Sequence, residues 1–242
     1  MKRIAAYTGT KNIYSDMVMS AKSLIANSAV DEIHFFIEDD TIEEENLPDM
    51  IVCHNVSNQK YYAADGPNMT SPFSYMAMLR IAMCHYLPYK TALLLDCDTV
   101  VLNDATPIWD IDLEGYYFSS TPELHRSMHG ILYCNFGVVY YNLAKLRNGK
   151  ADECIKVLNE CKFTWVEQDV CNCLCQGYIH EMPAIYNVTE FTCRKEPSKP
   201  VIKHYAGQPR KNWVPRAKSQ FWRNISWEKV MERHNKMVEK YS

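Results

Sequence analysis

Ala92-Leu93-Leu94-Leu95-Asp96-Cys97-Asp98-Thr99-Val100-Val101 is the most informative segment of this 242-residue chain. Four apolar residues in a row suit a short strand covered on both faces, as in the middle of a parallel sheet. The run ends in two carboxylates one residue apart, at the strand end where open α/β sheets bind their ligands. Two proton-free acceptors held this close repel each other unless a cation lies between them. Hard oxygen ligands favour Mn²⁺ or Mg²⁺.

Working outward from the strand, Met76, Leu79, Met83 and Leu87 recur at helical spacing, in a helix that Pro72 opens and Pro88 ends. Further upstream, residues 4–8 read as a first strand and residues 12–28 as a helix. Met17, Met19, Ala21, Leu24 and Ile25 supply that helix with apolar content. Residues 32–37 form a second strand bounded by Glu38-Asp39-Asp40, residues 51–53 a third, and residues 55–71 a long polar loop. Downstream, strands are expected at 115–120, 137–141 and 201–204. Helices are expected at 143–161, at 167–175 with Gly177 closing it, and from Ser226 onward. Trp227, Val230, Met231, His234, Val238 and Tyr241 share one stripe of the last. This alternation predicts an α/β fold: a Rossmann-like, mainly parallel central sheet flanked by helices, as a single domain.

The composition, 47% hydrophobic and 23% charged, supports a packed core and excludes disorder or a coiled coil. No apolar run approaches the ~20 residues of a membrane-spanning helix, and no secretory leader is read at Met1. Ten cysteines then suit reduced thiols in a cytoplasmic protein. The net charge of −3 argues against nucleic-acid binding, but it is unevenly spread: from Lys203 onward ten Lys/Arg face three Asp/Glu. With Phe221, Trp222 and Trp227, that basic segment suits a peripheral site on an anionic inner membrane face, or a helix packed on the domain by its aromatic side.

A second candidate region is His204-Tyr205-Ala206-Gly207-Gln208-Pro209-Arg210-Lys211-Asn212-Trp213. A neutral imidazole at His204 would complete a metal's protein ligands. Gly207 would let the backbone approach a phosphate, and Arg210 or Lys211 would neutralise a departing diphosphate. Cys171, Cys173 and Cys175 do not make a zinc site, because a spacing of two on a helix sends side chains to different faces. His125 and His129 read as solvated loop residues.

In their order along the chain, these motifs resemble the family 8 glycosyltransferases, retaining nucleotide-sugar enzymes of the GT-A fold that include glycogenin and bacterial lipopolysaccharide galactosyltransferases. The resemblance covers residues 4–213, leaving 214–242 as a basic, aromatic helical extension. It rests on Tyr7-Thr8-Gly9-Thr10-Lys11-Asn12-Ile13-Tyr14, on Ser74 to Arg80, on Asp96-Cys97-Asp98, on Asn135-Phe136-Gly137-Val138, on Glu167-Gln168-Asp169 and on His204 to Trp213. It implies that Asp96, Asp98 and His204 hold Mn²⁺ or Mg²⁺. Thr8, Gly9, Asn12 and Tyr14 would lie near the uracil and ribose of a UDP-sugar, with Arg80 over the donor and Gly207, Arg210 or Lys211 at the diphosphate. Asn135, Gln168, Glu167 and Glu123 would surround the transferred hexose, glucose or galactose, on its way to a glycan or lipid-linked acceptor. Glu123 and Glu167 stand where the family carries aspartate, one methylene shorter. A sugar-1-phosphate nucleotidyltransferase and a non-catalytic nucleotide-sugar binding protein are the competing readings.

Overall fold

Alternating and continuous apolar runs become strands in the computed structural model, which describes residues 1–38, 47–70, 75–127, 131–206 and 217–242. In chain order these are β1 (Ile4–Gly9), α1 (Tyr14–Asn27), β2 (Glu32–Ile37), β3 (Ile51–Asn55), α2 (Tyr75–Tyr86), β4 (Thr91–Leu95) and β5 (Thr99–Val101). There follow β6 (Phe118–Pro122), β7 (Cys134–Asn142), the single turn α3 (Leu143–Lys145), α4 (Ala151–Glu160) and α5 (Val166–Leu174). The remainder comprises β8 (Ile179–Glu181), β9 (Ile202–His204), α6 (Ala217–Asn224) and α7 (Trp227–Lys240).

Seven strands form one sheet in the order β3-β2-β1-β4-β7-β6-β8. The pairs β1–β2, β1–β4, β2–β3 and β6–β8 are parallel, whereas β7 runs antiparallel to both β4 and β6. The sheet is therefore mainly parallel, as expected. Its order reverses at β1, with β2 on one side and β4 on the other, so the carboxyl ends of β1 and β4 open a crevice between them. Period-two alternation divides the core. Ala5, Tyr7, Leu93 and Leu95 pack on the α1 face, and Ile4, Ala6, Ala92 and Leu94 on the face covered by α2, α4 and α5.

The strands expected at 115–120 and 137–141 span Phe118–Pro122 and Cys134–Asn142, β5 and β8 are additions to the sequence expectation, and two helices differ from it. The first helix starts at Tyr14, after a 3₁₀ turn over Lys11–Ile13. The single helix expected at 143–161 is broken: Asn148 leaves helical geometry and Gly149 has φ of 98°, a conformation a side chain resists. Pro72, with the rest of 71–74, lies outside the described residues.

The C-terminal helices pack on α1 by their apolar side. Trp222, Ile225 and Val230 are buried in the α1-side core, with Trp227 and Met231 beside them. Lys22 Nζ donates to Ile225 O at 2.8 Å and lies 4.9 Å from the Trp227 ring centroid, while His234 Nδ1 donates to the Ile25 and Ser28 carbonyls at the end of α1. Phe221 stays 45% exposed. Removing two methyl groups from this contact, as Val230→Ala, should cost about 1.5–3 kcal/mol and lower the thermal midpoint by several degrees. An unchanged midpoint would mean that α7 is not docked. Among the described residues no helix is long and apolar enough to cross a membrane.

Candidate active site

β4 ends at Leu95, and the chain then turns through Asp96-Cys97-Asp98 into β5, which pairs antiparallel with β9 so that Thr99 faces His204. Backbone bonds hold this turn. Asp96 N donates to Gly137 O at 2.8 Å, Thr99 Oγ1 to Asp96 O at 2.8 Å, and Tyr205 N to Asp98 O at 3.0 Å. His204 Nε2 lies 3.5 Å from Asp96 Oδ2 and 3.3 Å from Asp98 Oδ1. One ligand atom from each residue falls within 4.8 Å of the others. The Asp96 and Asp98 side chains are 39% and 30% exposed, while His204 is buried, so the carboxylates open outward over an imidazole floor. Two carboxylates and one imidazole, with room above them, suit a divalent cation that keeps open positions for phosphate or water.

Burial would hold the His204 imidazole neutral, but Asp98 and Asp96 outweigh it and lift its pKa to about 10. A proton there balances charge that a metal would otherwise balance. Burial likewise works against ionised Asp96, and Arg80 and His204 hold its carboxyl below the usual range.

Arg80 sits beneath the carboxylates. Its Nη1 donates to Asp96 Oδ1 at 2.6 Å and its Nη2 to Phe136 O at 2.5 Å, with Glu167 Oε1 3.6 Å away and the side chain 4% exposed. Burial raises the Glu167 carboxyl to about 7, against the pull of Arg80. An unfolded glutamate loses its proton near 4.5. Between those values the native state therefore binds the extra proton, and stability falls as pH rises through the window. In EDTA, Glu167→Gln should remove a fall of about 3 kcal/mol between pH 4.5 and 7. Parallel stability curves for the two proteins would refute this.

The sugar-side candidates form one network. Glu123 Oε1 accepts from Asn135 Nδ2 at 2.9 Å and Gln168 Nε2 at 3.2 Å, and Glu123 Oε2 lies 3.4 Å from Arg126 Nε. Gln168 Nε2 also donates to Tyr133 OH at 3.1 Å, while Gln168 Oε1 accepts from Phe136 N at 3.0 Å. The carboxamide of Gln168 is thus held at both ends.

A cleft of about 420 Å³ joins these groups, lined by Thr8, Gly9, Arg80, Asp96, Asp98, Glu123, Asn135, Glu167, Gln168 and His204 from the expected set. Asn12 and Tyr14 are not among its lining residues. Asn12 is exposed, and Tyr14 packs edge-on against Phe35. Gly207, Arg210 and Lys211 lie outside the described residues. Cys171 and Cys175 are buried while Cys173 is exposed, as helical spacing requires. His125 is exposed, and His129 is outside the described residues.

Sequence reasoning missed four contributors. Asp16, Trp165 and Phe191 line the cleft, and Arg126, also on the lining, stacks between Tyr133 and Trp165 with its guanidinium 5.1 and 4.9 Å from the ring centroids. None belongs to a short motif. Gly137 stands in the Asn135-Phe136-Gly137-Val138 motif for a steric reason: a Cβ there would overlap the His204 ring. Gly137→Ala should displace the imidazole and weaken Mn²⁺ binding about 10–100-fold, with the far-ultraviolet circular dichroism unchanged. Mn²⁺ affinity equal to the parent's would show that His204 is not a ligand.

The model for glycosyl transferase family 8 matches residues 4–216. A Streptococcus gordonii protein named for a glycosyl transferase, Gly, is 27% identical over 193 residues, which cover 73% of this chain and 28% of that one. The glycosyltransferase GlyE of Streptococcus pneumoniae TIGR4 superposes with a TM-score of 0.76 at 18% identity, covering all of this chain and 64% of that one. The galactosyltransferase LgtC, solved with donor and acceptor sugar analogues, gives 0.64 at 20% identity, covering 96% and 95%. The chain thus spans less than two thirds of the length of Gly and of GlyE, and it has the GT-A fold.

Proposed function

The chain belongs to glycosyl transferase family 8, and on that premise we propose that it is a retaining enzyme that moves a hexose, glucose or galactose, from a UDP-sugar to a glycan or lipid-linked acceptor. The observation that carries the reading is the convergence of Asp96, Asp98 and His204 at one point of the cleft. These three residues would hold Mn²⁺ or Mg²⁺, which when bound acts as a Lewis acid on the donor's diphosphate. Arg80 fixes the orientation of Asp96 from below, and its positive charge keeps that carboxylate ionised. Thr8 and Gly9, at the end of β1, take the nucleoside side of the cleft. Gly207 with Arg210 or Lys211 takes the diphosphate, on the strength of the sequence motif.

Glu123, Asn135, Glu167 and Gln168 surround the hexose. Retention of configuration requires either a protein nucleophile or attack by the acceptor on the face from which the nucleotide leaves. Gln168 is a poor nucleophile, and its amide is tied to Phe136, Glu123 and Tyr133. We therefore assign the same-face route, with the donor's own phosphate oxygen taking the acceptor's proton. Trp165 and Phe191, on the cleft lining, offer apolar faces to an acceptor. If it is lipid-linked, membrane contact falls to exposed Phe221, since Trp222 and Trp227 pack on α1.

Isothermal titration of UDP with Mn²⁺, with EDTA, and on His204→Ala tests the donor site. Binding that requires both the metal and His204 is the expected result. Equal binding in all three conditions would remove the metal from the reading.

A further inference from the structure

We infer that Asn187, which no motif singles out, is a positioning residue that fixes the proton on His204 Nδ1 and so leaves Nε2 as the metal-facing atom. The inference rests on the metal reading of Asp96, Asp98 and His204. Asn187 is fully buried in the segment between β8 and β9. Its Oδ1 lies 2.9 Å from His204 Nδ1, and its Nδ2 lies 2.9 Å from Asn135 Oδ1.

The direction of this chain of bonds follows from groups that have no choice of role. The Gly137 backbone N–H can only donate, and it reaches Asn135 Oδ1 at 3.0 Å; on the other side Asn135 Nδ2 donates to Glu123 Oε1 at 2.9 Å, in a carboxyl group whose Oε2 faces Arg126 at 3.4 Å. Together they fix which end of Asn135 is oxygen. Facing an oxygen, Asn187 must present Nδ2, so its Oδ1 points at His204. Nδ1 must then carry a hydrogen. The other neutral tautomer would set two lone pairs against each other at 2.9 Å, between residues that are 0% and 3% exposed. Metal-binding histidines generally depend on such an acceptor behind the ring, and its loss typically weakens the metal 10–100-fold. Here the relay also runs from Glu123, on the sugar side, through Asn135 to the metal ligand, so one set of bonds aligns both halves of the site.

The test reads ring nitrogen-15 resonances of His204 in the full chain with saturating Mg²⁺, the resonances being assigned by their loss in His204→Ala. A proton on Nδ1 and none on Nε2 is the expected signature. A proton on Nε2 alone would overturn the relay, and protons on both nitrogens would overturn the metal reading beneath it. Asn187→Leu supplies the energetic counterpart, with a 10–100-fold weaker Mn²⁺ affinity by titration of the metal alone. A folded Asn187→Leu protein that holds Mn²⁺ within threefold of the parent would also overturn the relay. Should that variant not fold, the resonances of the parent decide.

Discussion

Asp98→Asn is expected to lower sugar transfer about 100-fold or more while leaving the thermal midpoint within a few degrees of the parent's. On the proposed metal reading the substitution removes one of two anionic ligands, which should cost more than the 10–100-fold typical of a residue behind a ligand. Stability should survive because the Asp98 side chain is 30% exposed, so an amide there can be solvated. Without metal the substitution also takes one carboxylate away from the buried His204 imidazolium, and Asp96, 3.5 Å from the ring nitrogen, remains to balance it. Turnover of UDP-sugar and a thermal melt on the same preparation are the two measurements. Parental turnover would show that the site lies elsewhere.

Arg80→Leu should produce the largest loss of stability. The Arg80 side chain is 4% exposed and serves Asp96, the Phe136 carbonyl and Glu167 together. Removing one partner of a buried pair costs about 3–5 kcal/mol, because the groups left behind lose their compensation. In a chain of this size that corresponds to a fall of roughly 6–20 °C in the midpoint. The penalty should be greater at pH 8 than at pH 6, since Glu167 titrates near 7 and at the lower pH has little charge for Arg80 to balance. A loss below about 1 kcal/mol would mean that Arg80 contributes no more than a surface ion pair.

The sequence carries the local part of this architecture well. The run Ala92 to Leu95 is a buried central strand, and the helix spacing of Met76, Leu79 and Met83 is a core face, because periodicity reports what each residue packs against. The basic segment was open to two readings, and Trp222 and Val230 in the α1-side core show the packed one for α6 and α7. What is missing locally is long-range pairing. β5 was not foreseen because three residues following a turn have no pattern of their own, and they become a strand only by pairing with β9, about a hundred residues later. That pairing is also what brings His204 to Asp98. Asn187 and the steric need for glycine at 137 are likewise invisible in one dimension, since each answers to a ring on another strand. Glu123 and Glu167 were legible as motif positions, but their partners were not. The environment of Glu167 comes from Arg80, on a helix far back in the chain.

The most direct test of the central claim is phosphorus-31 nuclear magnetic resonance of the chain incubated with UDP-glucose or UDP-galactose and Mg²⁺, with and without EDTA and with pyrophosphate present. A metal-dependent sugar transferase should convert the donor to UDP, slowly onto water and faster when a glycan acceptor is added, and EDTA should stop it. UTP with sugar-1-phosphate would make the chain a nucleotidyltransferase, and an unchanged donor spectrum with every acceptor would make it a nucleotide-sugar binding protein; either would contradict the account.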